Sequence, residues 1–488
     1  MLPKVSKRLL LRPLPLILFF GILQLSVALL SDHLSFDEAM WHYIGRNWFR
    51  HGLVPYAGGV DNKSPIIFAL FGLSDKFFGV NCWFPRVVGT ACQSAGIYYV
   101  YRIARRIANE SAAIFSITIY GLSVLWKSAD GAAVSFTETY AVTCIIISYY
   151  YYIDGRGRDD FFISGLIAGL GFGFRISAFF GIAAIFMSYY LRNKSSAILF
   201  LSGVVCCVMV IAAVFVAAGI DLHDLLTYSV TDNFSSGSVT DHNLAWHVTS
   251  FMNAFFYSEF IMLYPFVLVF FFIKKHNFLT FWLISECIGI CTIGTFATTH
   301  LKDLLPVMSL MNGLSLSFLV ENYKLPLRPI LIIIWITYFP KLLNPLINAR
   351  HLIFPESATA TIGCEPPYPP ANDNLKKKMG LWIKSHTYVQ EPVFVAGYGA
   401  IVQAYSERQS PTVYFNVTQT ATAKRRLFAD LANSKPAMVV IPLSDDYASS
   451  VDDDIRNAID SLVTRNYSYT NCMFSYAVYR LKKPGPWP

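Results

Sequence analysis

Apolar stretches about 15 to 30 residues long recur from residue 13 to residue 346, and that length crosses about 30 Å of hydrocarbon. We place about eleven membrane segments by this criterion: 13–30, 84–105, 111–127, 134–153, 161–175, 176–191, 196–219, 248–273, 277–298, 303–320 and 328–346. Only 14% of the residues are charged, against roughly 25% in ordinary soluble domains. That excludes a soluble enzyme of this size and a disordered chain. The apolar stretches do not alternate in character, which excludes a membrane β-barrel. The expected fold class is a polytopic α-helical membrane protein.

The stretch 161–191 decides the topology. As one helix it would be about 45 Å long, too long for a bilayer without strong tilt. Split at Arg175, it forms two short spans. The inside loops then hold Lys4/Lys7/Arg8, Arg102/Arg105/Arg106, Arg156/Arg158, Arg192/Lys194, Lys274/Lys275 and Lys324/Arg328. Each is a basic cluster in a short loop, as the positive-inside rule requires. The N-terminus is expected inside and the C-terminus outside. The net charge of +8 is thereby spread over cytoplasmic loops, and no nucleic-acid partner is expected. The basic start and apolar run of residues 1–30 read as a first membrane helix rather than a cleaved leader.

Three regions then lie outside: 31–83, 220–247 and everything from 347 onward. The last is roughly 140 residues, enough for a domain of its own. The expected division is a transmembrane domain over 1–346 and an extracytoplasmic α/β domain over 347–488. Short apolar runs at 392–396 and 437–442, and alternation at 473–480, predict strands. Residues 420–433 read as a helix with exposed Lys424, Arg425 and Arg426. Of nine cysteines, seven fall at or before Cys291, mostly in apolar stretches where a thiol is a small filler. Cys364 and Cys472 share the polar C-terminal region and can pair only in an oxidising compartment.

The first outer loop is rich in polar chemistry. Met40, Trp41, Ile44, Trp48 and Phe49 fall on one helical face, which predicts an amphipathic helix lying in the interface. Asp37 and Glu38 stand at its N-terminal end, where the helix dipole favours acids. They read either as a helix cap or as reactive carboxylates. A turn follows through Tyr56, Asp61, Asn62 and Lys63, then a second amphipathic stretch over 66–79. Lys63 reads either as a snorkelling anchor or as a phosphate ligand. Arg86, Glu138, Arg175, His300, Lys302 and Asp303 fall on the same outer side. Ionisable groups near a bilayer interior are costly and mark cavities or partners. Glu286, inside the ninth segment, has no evident role.

Basic residues at a membrane surface suit a phosphate, and a nearby carboxylate suits a general base. A phosphate at bilayer depth implies a lipid-linked phosphate. Sugar transfer from a polyprenyl phosphate needs this set, with cations stabilising the leaving phosphate, and direct displacement inverts the anomeric centre. A glycan polymerase or ligase using a lipid-diphosphate donor would carry its key residues in a large mid-chain loop. A transporter would carry them near the bilayer midplane. The outer placement of the charges favours the transferase over both, and over a purely structural or receptor role.

The ordered set resembles the GT-C fold glycosyltransferases of the dolichyl-phosphate-mannose protein mannosyltransferase and aminoarabinose transferase superfamily. The residues that carry the resemblance are Asp37-Glu38-Ala39, Pro55-Tyr56, Asn62-Lys63-Ser64-Pro65, Arg86, Glu138, Gly171-Phe172-Gly173-Phe174-Arg175 and His300-Leu301-Lys302-Asp303-Leu304-Leu305-Pro306. Ser64 stands where that family commonly has the first of two prolines, Glu138 where it has Asp, and Arg175 where it has Lys.

The resemblance implies roles for single residues. Asp37 would be the base, with Glu38 beside it and Glu138 as a further carboxylate. Lys63, Arg86, Arg175 and Lys302 would hold the donor phosphate, and Tyr56 and His300 would contact substrate. It also implies an undecaprenyl-phosphate sugar as donor. The acceptor would be a glycan or lipopolysaccharide at the periplasmic face of a bacterial inner membrane. Serotype-modifying O-antigen glucosyltransferases are similar in size and expected topology. No Cys/His group has metal-ligand spacing, so no cofactor is indicated, although carboxylates leave room for a divalent ion.

Overall fold

The computed structural model describes residues 13–126, 133–231, 244–273, 276–294, 296–338, 373–413, 421–443, 451 and 453–482. In chain order the helices begin with α1 (Pro13–Leu29), α2 (Phe36–His51), α3 (Pro65–Phe78), α4 (Trp83–Ile107), α5 (Glu110–Ser123), α6 (Thr137–Asp154), α7 (Arg158–Phe174), α8 (Ala178–Arg192) and α9 (Lys194–Ala217). A short α10 (Leu222–Leu226) runs into a π-turn at Thr227–Thr231, followed by α11 (Leu244–Phe255), a 3₁₀ turn at Glu259–Met262, α12 (Tyr264–Ile273) and α13 (Asn277–Ile293). A second 3₁₀ turn at Thr298–Asp303 leads to α14 (Leu305–Asn322) and α15 (Leu327–Tyr338). The C-terminal part comprises α16 (Asp373–His386), β1 (Val393–Val395), α17 (Ala400–Ser406), α18 (Ala421–Asn433), β2 (Met438–Pro442), α19 (Asp453–Asn466), β3 (Tyr467–Met473) and β4 (Tyr476–Leu481).

The chain divides into two compact units. The first comprises 1–31, 85–214 and 241–353, and the second comprises 32–84, 215–240 and 354–488. The sequence-based division at residue 347 placed the loop 31–83 with the membrane segments. Its residues instead pack with the C-terminal region.

The first unit is helical. Among the described residues each expected membrane segment overlaps at least one helix, and the split at Arg175 is present as the break between α7 and α8. Arg175 itself is extended, with φ −154° and ψ 124°. The segment 248–273 is broken: its two halves, Ala245–Phe255 and Glu259–Ile273, meet at a bend of 46°. Ser258 accepts the Phe260 N–H at the break, and Pro265 sits in the first turn of α12, where a missing N–H costs nothing. By length and composition, α9 alone among the described helices is both long and apolar enough to cross a bilayer unaided. It turns Ile198, Val205, Met209 and Val214 outward, a surface suited to lipid. Close helix packing relies on small residues. Gly165 of α7 and Gly203 of α9 each abut the other helix's backbone, with Phe162 and Phe200 carbonyls where a Cβ would lie. Between α6 and α7, Ser148 donates to the Ser164 carbonyl at 2.9 Å.

The second unit joins an α/β layer to α2 and α3. Its sheet has the order β1-β2-β4-β3, with β1–β2 parallel and the other pairs antiparallel. The strands expected at 392–396, 437–442 and 473–480 correspond to β1, β2 and β4. Strand β3 was not anticipated. It pairs with β4 through a two-residue turn in which Phe474 and Ser475 both have positive φ, the geometry that matches strand twist. Met379, Val393, Val395, Val402, Met438, Val440 and Val478 form the core beneath the sheet. Cys472 is disulfide-bonded; its expected partner, Cys364, lies outside the described residues.

Helix α2 starts with a complete capping box, Ser35 accepting the Glu38 N–H while the Glu38 carboxylate accepts the Ser35 N–H at 2.9 Å. It ends at Gly52, with φ +70°. The amphipathic pattern predicted a helix lying flat with one face in lipid. Instead, residues 38–47 are buried around the whole circumference. Gly45 makes this possible: its Cβ position is occupied by the Phe68 carbonyl and the Gly72 backbone of α3. His42, Arg46 and Asn47 of α2 each find an internal hydrogen-bond partner, although Arg46 Nη1 takes none.

Candidate active site

In the second unit, the residues singled out from the sequence gather around α2 and the loop 54–64. Glu38 is buried and engaged in the capping box, whereas Asp37, half-buried beside it, takes no part in that box. The loop is fixed at several points. Asn47 of α2 donates to the Gly58 carbonyl at 2.6 Å, and Trp41 Nε1 donates to Asp61 at 2.8 Å. Tyr56 is fully buried, has φ +71°, and donates its hydroxyl to the Lys63 carbonyl at 2.8 Å. Burial and the nearby Asp61 and Asp224 charges push the Tyr56 phenol well above its ordinary range, so it stays a donor.

Lys63 therefore sits on a constrained turn, its ammonium donating to Asn62 at 2.8 Å. It directly precedes Ser64, the N-cap of α3, which makes no side-chain cap bond. Pro65 occupies the first helical position. A cation and the N-terminal amides of a helix thus coincide, a combination that favours anions.

Behind this loop lies a charged knot. Asp75 of α3 accepts from Arg46 at 3.0 Å and pairs with Arg50 at 2.7 Å and His42 Nδ1 at 3.3 Å. Burial alone would raise its carboxyl, but His42, Arg46 and Arg50 outweigh that and bring it down to about 2. Arg46 also donates to the Ala404 carbonyl of α17 at 2.9 Å. This knot carries no local signature, because its partners are distant along the chain.

In the first unit, three elements bring charges together. Arg175, at the end of α7, donates to both Asp303 oxygens at 3.1 and 3.2 Å. It lies 3.6 Å from Glu138 in the first turn of α6. Lys302 is buried and donates to the Ala133 carbonyl at 2.7 Å. His300 shares the same 3₁₀ turn and is half-buried. Glu286, buried on α13, accepts from Trp282 at 3.1 Å and lines a cavity of about 10 Å³ with Asp303, room for a single water. Asp303 and Glu286 thus join the cluster expected from Glu138, Arg175 and Lys302. Arg86, in the first turn of α4, donates its guanidinium to the Ala28 and Ser31 carbonyls at 2.7 Å, satisfying the end of α1. Among the described residues, no group of three or more His, Cys, Asp or Glu is placed to hold a metal ion.

Residues 62–220 match the sequence profile of the dolichyl-phosphate-mannose-protein mannosyltransferase family. The crystal structure of ArnT from Cupriavidus metallidurans bound to undecaprenyl phosphate resembles the chain with a TM-score of 0.63 at 13% identity, over 96% of this chain and 97% of that one. The archaeal oligosaccharyltransferase AglB from Archaeoglobus fulgidus, in complex with an inhibitory peptide and a dolichol-phosphate, resembles it with a TM-score of 0.53 at 10% identity, over 96% and 74%. No curated protein matches it by sequence.

The chain has the fold of ArnT and AglB, and about a third of it matches the mannosyltransferase family profile.

Within this chain the family profile begins at Asn62 and takes in Lys63, Arg86, Glu138 and Arg175. Asp37, Tyr56, His300 and Lys302 lie outside the matched stretch. Asp303 and Glu286 escaped attention as site residues for different reasons. Asp303 was visible as part of the His300–Asp303 turn, but its partner Arg175 is 128 positions away. Glu286 stands alone in an apolar segment, and only the Trp282 four residues earlier signals that it is accommodated.

Proposed function

We propose that the protein is an integral-membrane glycosyltransferase that moves a sugar from a polyprenyl-phosphate donor to a glycan acceptor with inversion. The observation that carries this reading is Lys63 at the uncapped start of α3, in a chain whose fold matches that of a protein solved with undecaprenyl phosphate. In the reaction, the acceptor hydroxyl oxygen attacks the anomeric carbon. The bond from that carbon to the phosphate oxygen breaks, and the polyprenyl phosphate leaves with the electron pair. Asp37 takes the hydroxyl proton, and Lys63 and the α3 amides stabilise the departing phosphate.

In the first unit, Arg175 and Lys302 are the candidate phosphate ligands, held by Asp303 and the Ala133 carbonyl. Glu138 also holds Arg175. Arg86 acts by closing the end of α1, Tyr56 by holding the Lys63 turn, and His300 by contacting substrate. We assign the site to the periplasmic face of a bacterial inner membrane, with undecaprenyl-phosphate glucose as donor and lipopolysaccharide O-antigen as acceptor. The disulfide at Cys472 supports an oxidising compartment for that side.

Membranes from cells lacking other such transferases, supplied with radiolabelled undecaprenyl-phosphate glucose, mannose or aminoarabinose, test the reading. Label is expected to move from one of these lipids to acceptor with wild type and not with Asp37→Asn. Consumption of a lipid-diphosphate donor instead, with every monophosphate untouched, would replace the transferase with the polymerase or ligase.

A further inference from the structure

One helix of the C-terminal region reaches the Lys63 loop by two separate routes. On α18, Arg426 and Asp430 are four residues apart and share a face. By the first route, Arg426 donates to the Tyr228 hydroxyl at 3.0 Å. The Tyr228 ring stacks on Tyr56 at 5.5 Å and 22°, and Tyr56 donates to the Lys63 carbonyl. By the second, Asp430 accepts from Thr412 at 2.9 Å and from the Val413 N–H at 3.1 Å. The Val413 carbonyl then accepts the Val60 N–H at 3.1 Å. Both routes end on the loop 54–63, one at each side of Asp61.

A loop needs two fixed points to orient a side chain between them, and these routes supply them from one rigid element. The loop also needs holding. Tyr56 adopts a left-handed backbone, which is strained for an aromatic residue, so the turn relaxes unless its ring and hydroxyl are engaged. We propose that α18, through Arg426 and Asp430, is the positioning element for Lys63, with Tyr228 and Tyr56 as the intermediate positioning residues. The proposal rests on the phosphate role given to Lys63 above. Neither Arg426 nor Asp430 touches the donor; each acts through the loop. The C-terminal region thereby takes part in donor binding through the loop.

The test uses the full-length protein in nanodiscs and equilibrium binding of radiolabelled undecaprenyl phosphate. Arg426→Gln, Asp430→Asn, Tyr228→Phe and Tyr56→Phe are each expected to weaken binding about threefold to tenfold. Arg426→Lys, which keeps a donor, is expected to restore most of it. The deciding measurement repeats Tyr56→Phe and Asp430→Asn in a Lys63→Ala background. If these residues act through the Lys63 ammonium, they add no further loss there. An undiminished further loss, or wild-type binding by all four single variants, would overturn the proposal. Wild-type binding by Lys63→Ala would instead remove the phosphate role of Lys63, and this inference with it. The Phe variants keep the rings, and thermal unfolding of each variant confirms that the readout is of folded protein.

Discussion

Arg46 and Asp75 form a buried ion pair, Nε to Oδ2 at 3.0 Å, with 3% and 1% of their surfaces exposed. It ties α2 to α3, and through the Ala404 carbonyl it ties both to α17. Such a pair is costly to break one side at a time, because the survivor is left charged in a dry interior. Asp75→Asn is expected to destabilise the protein by about 3 kcal/mol.

The same pair sets an acid limit. Asp75 has a folded pKa of about 2, below the roughly 3.9 of an unfolded chain. Its ionised form therefore stabilises the fold by about 2 kcal/mol above that unfolded value. The contribution fades below pH 4 and is lost as the pH falls through about 2. Thermal unfolding between pH 2 and pH 6 checks this. The gap between wild type and Asp75→Asn should be constant above pH 5 and shrink steadily toward pH 2; a gap independent of pH would exclude the effect.

Asp37 and Glu38 are neighbours to which we assign separate duties. Glu38→Gln weakens a capping box and is expected to cost about 1 kcal/mol of stability while leaving transfer nearly intact. Asp37→Asn should leave the unfolding temperature unchanged and lower turnover by about 10² to 10⁴. Parallel unfolding and transfer assays on the two variants decide this, and the opposite pattern would move the base to Glu38.

Arg175 neutralises two buried acids. Arg175→Leu strands Asp303 and Glu138, with an expected loss of about 3 to 5 kcal/mol. Adding Asp303→Leu should return part of that loss, since the second change removes a stranded charge. A double-mutant cycle of unfolding free energies measures the coupling, and simple additivity would show that the pair is not energetically linked.

Gly45 and Gly72 allow α2 and α3 to touch backbone to backbone. Gly45→Ala places a methyl where the Phe68 carbonyl lies and is expected to cost about 1 to 3 kcal/mol. Reduced yield of folded protein and a lowered unfolding temperature are the readouts. Unchanged stability would mean that the helices separate at little cost.

The helical framework was legible because its signal is local. Apolar length marks each helix, and the distribution of Arg and Lys located the break at Arg175. Strands β1, β2 and β4 were visible as apolar or alternating runs. Strand β3 was not, because Ser468, Tyr469 and Thr470 are exposed and carry no core-facing pattern. The partnership of the first loop with the C-terminal region was also invisible. Leu34 N–H meets the Tyr405 hydroxyl across 371 positions, and no local periodicity encodes such a contact. For the same reason α2 looked like an interfacial helix. Its apolar stripe is real, but His42 and Arg46 on the other side are matched by groups that only the tertiary fold supplies.

The left-handed backbone at Tyr56 sets what substitutions that turn can accept. Glycine adopts φ +71° with no steric cost, so Tyr56→Gly would suit the local backbone while removing the ring that meets Tyr228 and the hydroxyl that meets Lys63. Alanine would keep the strain and lose both contacts. At this position local comfort and long-range restraint pull in opposite directions, and the chain has settled on restraint.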